Sequence, residues 1–169
     1  MDIMSAQRRS QLMSRIRSKN TGPELVLRRL LHASGYRYRL HGALPDGLLE
    51  SMRKDHPEIR LRGGRLPGSP DLVFTAKRKA VFVDGCFWHG HDCPVGRRRP
   101  SSNTGYWNPK LDGNQARDQR NRRELLALGW ESMTVWECEL DSAEQVLHTV
   151  TRFLGPTSGT VGTGTGQQQ

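Results

Sequence analysis

The sequence predicts an α/β sandwich, a central mixed β-sheet flanked by helices, and three observations carry that reading. Leu72-Val73-Phe74, Ala80-Val81-Phe82-Val83 and residues 133–136 are short apolar runs with the length and branching of buried strands. They alternate with segments of helical period that have their own start and stop signals. At 169 residues there is room for one compact domain with a single core, so these elements must share one sheet.

Taken in order, the opening stretch to Asn20 is basic and helix-permissive, with Leu12, Met13 and Ile16 set among arginines. Thr21-Gly22-Pro23-Glu24 has the form of a capping box ahead of an apolar run. Leu27, Leu30, Leu31 and Ser34 fall on one helical face, and Gly35 is placed to stop the helix. Residues 36–40 read as a short strand. Residues 42–64 are irregular and read as an inserted loop, with a turn or two of helix over 48–54. Lys77-Arg78-Lys79 is a basic turn between the two central apolar runs. Residues 86–106, rich in Gly, Pro, His and Arg, read as loop; a polar helix follows over 114–128 and stops at Gly129. Asp141-Ser142-Ala143-Glu144 is expected to cap a last helix ending near Leu154. The domain is thus expected to span 1–154. Residues 155–169, biased to Gly, Thr and Gln, are expected to be a disordered tail.

Lys and Arg number 26 against 17 Asp and Glu, a formal charge of +9. Such an excess suits a polyanion, since cations along a phosphate backbone release condensed counterions; the plainer alternative is a solvated arginine-rich surface. No apolar run approaches the roughly 20 residues of a membrane span, and the polar start is not expected to act as a signal peptide. A soluble, cytoplasmic protein with no membrane partner is expected. Three cysteines cannot close a disulfide set, and a reducing compartment suits thiols held by a metal.

The segment Cys86-Phe87-Trp88-His89-Gly90-His91-Asp92-Cys93 concentrates metal-ligand chemistry, and Cys138 offers a fourth ligand from a distant strand. Cys86, His91, Cys93 and Cys138 would make a closed tetrahedral site of the structural zinc type. Buried free thiols beside solvated histidines are the alternative. The His-x-Glu and Pro-Cys-x-x-Cys pattern of zinc deaminases is absent.

Acidic chemistry lies on the neighbouring strands. Asp71 opens one and Asp84 closes the next, and a hairpin centred between Lys77 and Arg78 sets them opposite, with Cβ atoms roughly 5 Å apart. Two carboxylates so placed repel unless a cation lies between them, and magnesium takes oxygen ligands at about 2.1 Å. Metal there neutralises charge on a reacting phosphate and makes hydroxide available. The alternative is two solvated, turn-flanking aspartates. His89, spare from the zinc set, is a candidate general base, or else a supporting histidine or a zinc ligand in place of His91. Glu24 either only caps its helix or joins the site. By spacing alone Asp118, among Arg117, Arg120, Arg122 and Arg123, reads as a salt-bridging surface residue.

These motifs resemble the very short patch repair endonucleases. The carriers are Thr21-x-x-Glu24, Leu66-Pro67-Gly68-x-Pro70-Asp71, Phe82-Val83-Asp84-Gly85-Cys86-Phe87-Trp88-His89, Cys93, Tyr106-Trp107, Asn114-x-x-Arg117-Asp118, and Gly129-Trp130 followed by Val135-Trp136-Glu137-Cys138. The resemblance spans most of the chain between Met13 and Leu140. It implies a restriction-endonuclease-like fold and hydrolysis of one DNA strand 5′ to the thymine of a T:G mismatch, the product of 5-methylcytosine deamination. It implies magnesium at Asp71 and the Val83 backbone carbonyl, His89 as base, and Glu24 and Asp118 at acidic positions of the site. It also implies that Phe87 and Trp88, with Met13, wedge into the duplex, and that Cys86, His91, Cys93 and Cys138 bind zinc. Asp84 stands where some relatives carry histidine, which opens it to roles as metal ligand, base or hydrogen-bond partner. Segment 42–64 is longer than the family's usual link into Pro70-Asp71, so it either reshapes the rim of the site or bulges outward.

Two other functions fit parts of the sequence. A non-catalytic zinc module binding DNA through Arg97, Arg98, Arg99 and the basic helices explains charge and cysteines but leaves Asp71, Asp84 and His89 idle. A restriction-type nuclease on the same sheet would share the site but not the mismatch specificity. A monomer acting on double-stranded DNA, with mismatch-repair proteins as further partners, is expected.

Overall fold

The computed structural model describes residues 19–157. The basic opening segment, with Met13, and residues 158–169 of the tail lie outside the described residues. Helix α1 (Gly22–Ala33) begins where the sequence places it. Thr21 stays extended and its hydroxyl oxygen accepts the Glu24 N–H at 3.5 Å, while the Glu24 carboxylate reaches back to the N–H of Asn20 at 2.9 Å. Gly35, at a φ of +84°, ends the helix in a conformation that suits glycine. Leu27 and Leu31 are fully buried, but Leu30 is half-buried and Ser34 exposed, so the core-facing stripe is narrower than expected.

The sheet is mixed, with four strands in the order β1 (Arg39–Leu40), β2 (Leu72–Phe74), β3 (Lys79–Asp84) and β4 (Glu131–Trp136). The pairs β1–β2 and β2–β3 are antiparallel, and β3–β4 is parallel. Strand residues alternate between two faces, and both faces are covered, which is why β2 and β3 read as continuous apolar runs. Leu72, Phe74, Val81 and Val135 pack on one face with α1 and α5 (Ala143–Leu154). Val73 and Ala80 pack on the other with Leu125, Leu128 and Trp130. There are therefore two cores, one on each side of the sheet, where the length alone suggested one. The parallel pair needs a long crossover. It runs through the short helix α3 (Cys86–His89) and the long helix α4 (Thr104–Ala127).

Several boundaries move. The strand expected over 36–40 pairs only at its last two residues; Tyr36 and Tyr38 instead set their rings edge-on to Phe74, at 6.2 and 5.9 Å between centroids. Segment 42–64 is more than an inserted loop, and the turn or two of helix expected over 48–54 falls inside a longer helix. That helix is α2 (Asp46–Asp55), and Leu44, Leu49, Met52 and Leu61 fill the second core. Helix α4 starts ten residues earlier than expected and continues through Pro109. Its early turns are polar and contain Pro109 and Gly113, so no apolar period advertised them. Ser142 precedes α5 but makes no side-chain cap; a 3-10 segment, Glu137–Ser142, leads into the helix, with Glu139 accepting the Trp136 N–H at 2.8 Å. The start of the expected tail is fastened, since the carbonyls of Gly155 and Pro156 accept from the Tyr36 hydroxyl and the Lys77 ammonium, each at 2.6 Å.

Candidate active site and metal cluster

The β2–β3 register decides where the carboxylates stand. Leu72 pairs with Val81 and Phe74 with Lys79, so the hairpin is centred between Ala76 and Lys77, one residue earlier than expected. The shift arises because the turn is a 3-10 turn, Thr75–Lys77, closed by Arg78 at a φ of +49°. Asp71 and Asp84 are consequently not opposite each other. Continuing the register sets Asp71 level with Phe82, and its Oδ2 accepts the Val83 N–H at 2.8 Å. A displacement of two residues preserves the face, so both carboxylates still lie on the same side of the sheet. Burial, then the charges of Glu24 and Asp84, push the Asp71 carboxyl up to about 6 against the pull of the Val83 N–H.

Helix α1 brings Glu24 to this carboxylate. Glu24 is 3% exposed and accepts from Arg28 Nη2 at 2.9 Å. It thus does more than cap its helix: Glu24, His41 and Asp71 offer ligand atoms that all lie within 4.8 Å of one another. His41 follows β1 at a φ of +53° and donates its backbone N–H to the Asp71 carbonyl at 3.2 Å. Burial, with the nearby charges of Arg28 and Lys19, holds its imidazole below the usual range and so favours the neutral form. No local signal marks His41 in the sequence; only the pairing of β1 with β2 brings it beside Asp71.

On the other side stands His89, at the end of α3. Its Nδ1 lies 2.6 Å from Asp118 Oδ2 on α4, and its Nε2 lies 3.9 Å from Asp84 Oδ1. Burial alone would lower the His89 pKa, but the Asp118 hydrogen bond and the Asp84 charge outweigh it, and the value is raised. Asp84 is itself raised by burial, against the charges of His89 and Arg122. Asp118 is not the solvated residue its spacing indicated: its side chain is 16% exposed and turned inward to His89, though it also meets Arg117 at 3.6 Å. Asn114 ties α4 to α3 by donating to the Trp88 carbonyl at 3.1 Å. Glu24, His41, Asp71, Asp84, His89 and Asp118 line one groove of about 1150 Å³.

Beyond the groove, Cys86, His91, Cys93 and Cys138 place their ligand atoms within 4.8 Å of one another. His91 Nδ1 is 3.6 Å from Cys86 Sγ and 3.4 Å from Cys138 Sγ. Sulfur and nitrogen bound to one tetrahedral zinc would stand about 3.6 Å apart. The imidazole is stacked on Trp136, 4.4 Å between centroids, and the Gly96 N–H brings the Cys93 thiol down to about 7. His91, and not His89, is the histidine beside the three cysteines.

Of the aromatic candidates, Trp88 lines the groove. Phe87 and Trp88 lie on a helix and not in the loop expected over 86–106. Both are half-buried and meet Trp107 of α4 at 5.9 and 6.1 Å. Arg97 and Arg99 pair with Asp92 and Asp112, while Arg98 is exposed. Arg117 and Arg120 line the groove.

Residues 1–50 and 56–95 match the family model described as DNA mismatch endonuclease Vsr. The chain belongs to this family. It is 44% identical to the type II nicking enzyme V.XorIIP of Xanthomonas oryzae pv. oryzae, over 92% of this chain and 98% of that relative. It is 37% identical to the type II nicking enzyme V.NmeAIP of Neisseria meningitidis, over 82% and 84%. Against the DNA mismatch endonuclease Vsr of Escherichia coli the identity is 32%, over 86% and 79%. The chain is therefore a DNA endonuclease, and among the described residues the groove is the one place where buried carboxylates and a paired histidine converge. Among the described residues no helix is long and apolar enough to cross a membrane.

Proposed function

We propose that the protein nicks one strand of double-stranded DNA 5′ to the thymine of a T:G mismatch, on a restriction-endonuclease-like fold, with a catalytic magnesium and a structural zinc. The observation that carries this reading is His89 held between Asp118 and Asp84 in the same groove as Asp71. Asp118 accepts from Nδ1–H, which leaves the lone pair of neutral His89 on Nε2, free to take a proton from an attacking water. Asp71 fits a hard cation: one oxygen is held by the Val83 N–H, and the repulsion from Glu24 and Asp84 is what a bound ion relieves. Asp71 and the Val83 carbonyl would hold magnesium, and the ion would neutralise charge on the reacting phosphate. Cys86, His91, Cys93 and Cys138 fit zinc by donor type and spacing. Phe87, Trp88 and Met13 are the wedge beside the mismatch, softening the stack where pairing is already weak. The residues to 154 act as one endonuclease domain, a monomer working in the cytoplasm alongside mismatch-repair proteins.

The relatives named as type II nicking enzymes favour a second reading: nicking governed by another sequence specificity. Pure protein with magnesium, offered matched and T:G duplexes of one sequence, separates the possibilities. Nicking of the T:G duplex alone is expected. Equal nicking of both would replace mismatch repair with another specificity, and binding without cleavage would leave only a zinc-stapled DNA-binding module.

A further inference from the structure

Segment 42–64 brings two arginines, Arg60 and Arg62, to the groove, and the site described so far uses neither. Arg60 and Arg62 are exposed and flank Leu61, which is 6% exposed and sits in the second core with Leu49, Met52 and Trp130. Leu61 is thus an anchor, and its neighbours are held out from a fixed point. The chain then turns through Gly63 and Gly64, at φ of +59° and +69°, where side chains are strained and where a Cβ at 64 would come within 3.0 Å of Leu49. Past that turn Arg65 bridges to Ala43 and donates to the His41 carbonyl at 2.6 Å. The segment is therefore fastened both to the core and to the backbone beside Asp71.

Arg60 and Arg62 line the same groove as Lys110, Arg117 and Arg120 of α4. The groove's inner carboxylates are the buried Glu24 and Asp84 and the half-buried Asp71 and Asp118, whereas these five cations are exposed. Within the described residues, Arg97, Arg99, Arg117 and Arg122 each meet a carboxylate, and Arg60 and Arg62 meet none. Glu58, which also lines the groove, pairs with His56 at 3.5 Å. Two guanidinium groups with no internal counter-ion, fixed at the lip of a groove that admits a polyanion, match the chemistry of backbone phosphates.

We propose that segment 42–64 is a second DNA-backbone wall, in which Arg60 and Arg62 each neutralise a phosphate of the duplex held along α4. This rests on the protein acting on double-stranded DNA, and leaves the mismatch preference to other residues. The test is DNA binding by fluorescence anisotropy over a series of salt concentrations, on matched and T:G duplexes, with wild-type protein and the Arg60→Ala, Arg62→Ala double variant. The slope of log K against log salt should fall by about two in magnitude, equally on both duplexes. An Arg53→Ala, Lys54→Ala variant removes the same charge from exposed positions of α2 that do not line the groove, and should keep the wild-type slope. An Arg60→Lys, Arg62→Lys variant should restore most of it. An unchanged slope in the first variant, or an equal fall in the α2 variant, overturns the proposal while wild-type nicking still stands. Wild-type protein that fails to bind duplex DNA overturns both readings.

Discussion

Replacing Asp118 by Asn isolates the contact on which the proposed proton transfer depends. The substitution keeps shape and removes charge from a partner lying 2.6 Å from His89 Nδ1. A hydrogen bond to a charged group in such surroundings contributes about 1.5–3 kcal/mol. At about 1.4 kcal/mol per decade this predicts a fall in the cleavage rate of about 10- to 150-fold. An amide can also donate to Nδ1 and stabilise the tautomer with the proton on Nε2, which drives the loss toward the upper end. The assay is single-turnover nicking of a T:G duplex at saturating enzyme, with the dissociation constant measured in calcium. The rate should fall and the affinity should hold within about twofold, since Asp118 faces inward and its removal takes no cation from the groove. A rate within about threefold of wild type would refute the reasoning, because the Asp118 charge would then not set the state of His89. A matched loss of rate, affinity and melting temperature would point instead to a merely structural tie between α3 and α4.

Asp71→Ala should abolish magnesium-dependent nicking while mismatch binding persists, as gel shifts beside cleavage assays would reveal; cleavage within about tenfold of wild type would remove Asp71 as a principal ligand. Cys138→Ser should lower zinc content below one per chain and depress the melting temperature, read by metal analysis and calorimetry, and wild-type protein free of zinc would refute the cluster's assignment. Replacing Phe87 and Trp88 together with Ala should reduce the preference for T:G over matched duplex. Their contacts with Trp107 add a stability loss of about 1–3 kcal/mol, and retained preference with lost stability would make them a hydrophobic cover instead.

What the sequence made legible was whatever is encoded locally. The Thr21–Glu24 capping box, the apolar runs of β2 and β3, and the crowding of Cys86, His91 and Cys93 are set by neighbours in the chain, and the structure bears them out as local geometry. The errors have tertiary causes. Segment 42–64 was unreadable as core because its apolar residues, Leu44, Leu49, Met52 and Leu61, are spread thinly among charges and become a face only against Leu125 and Trp130. The first turns of α4 are polar and interrupted by Pro109, so their helicity follows from docking on α3 and not from propensity. A one-residue error in the hairpin centre moved the partner of Asp71 by two positions, since symmetry about a turn doubles any misplacement. His41 was invisible because a lone histidine after a two-residue strand has no pattern.

The Cys86, His91, Cys93 and Cys138 cluster also has a topological consequence. Its members lie at the two ends of the crossover that carries α4, so an ion held by all four would turn that crossover into a closed ring. For the ring of about 50 residues closed between Cys86 and Cys138, chain statistics put the entropy removed from the unfolded ensemble at about 4 kcal/mol at room temperature. His89 and Asp118 both belong to that stretch of chain, whereas Asp71 and Glu24 lie outside it. Stripping the ion would therefore act unevenly: the half of the groove built on α1 and the β2–β3 hairpin would keep its scaffold, and the half that holds His89 and Asp118 would lose its tether first.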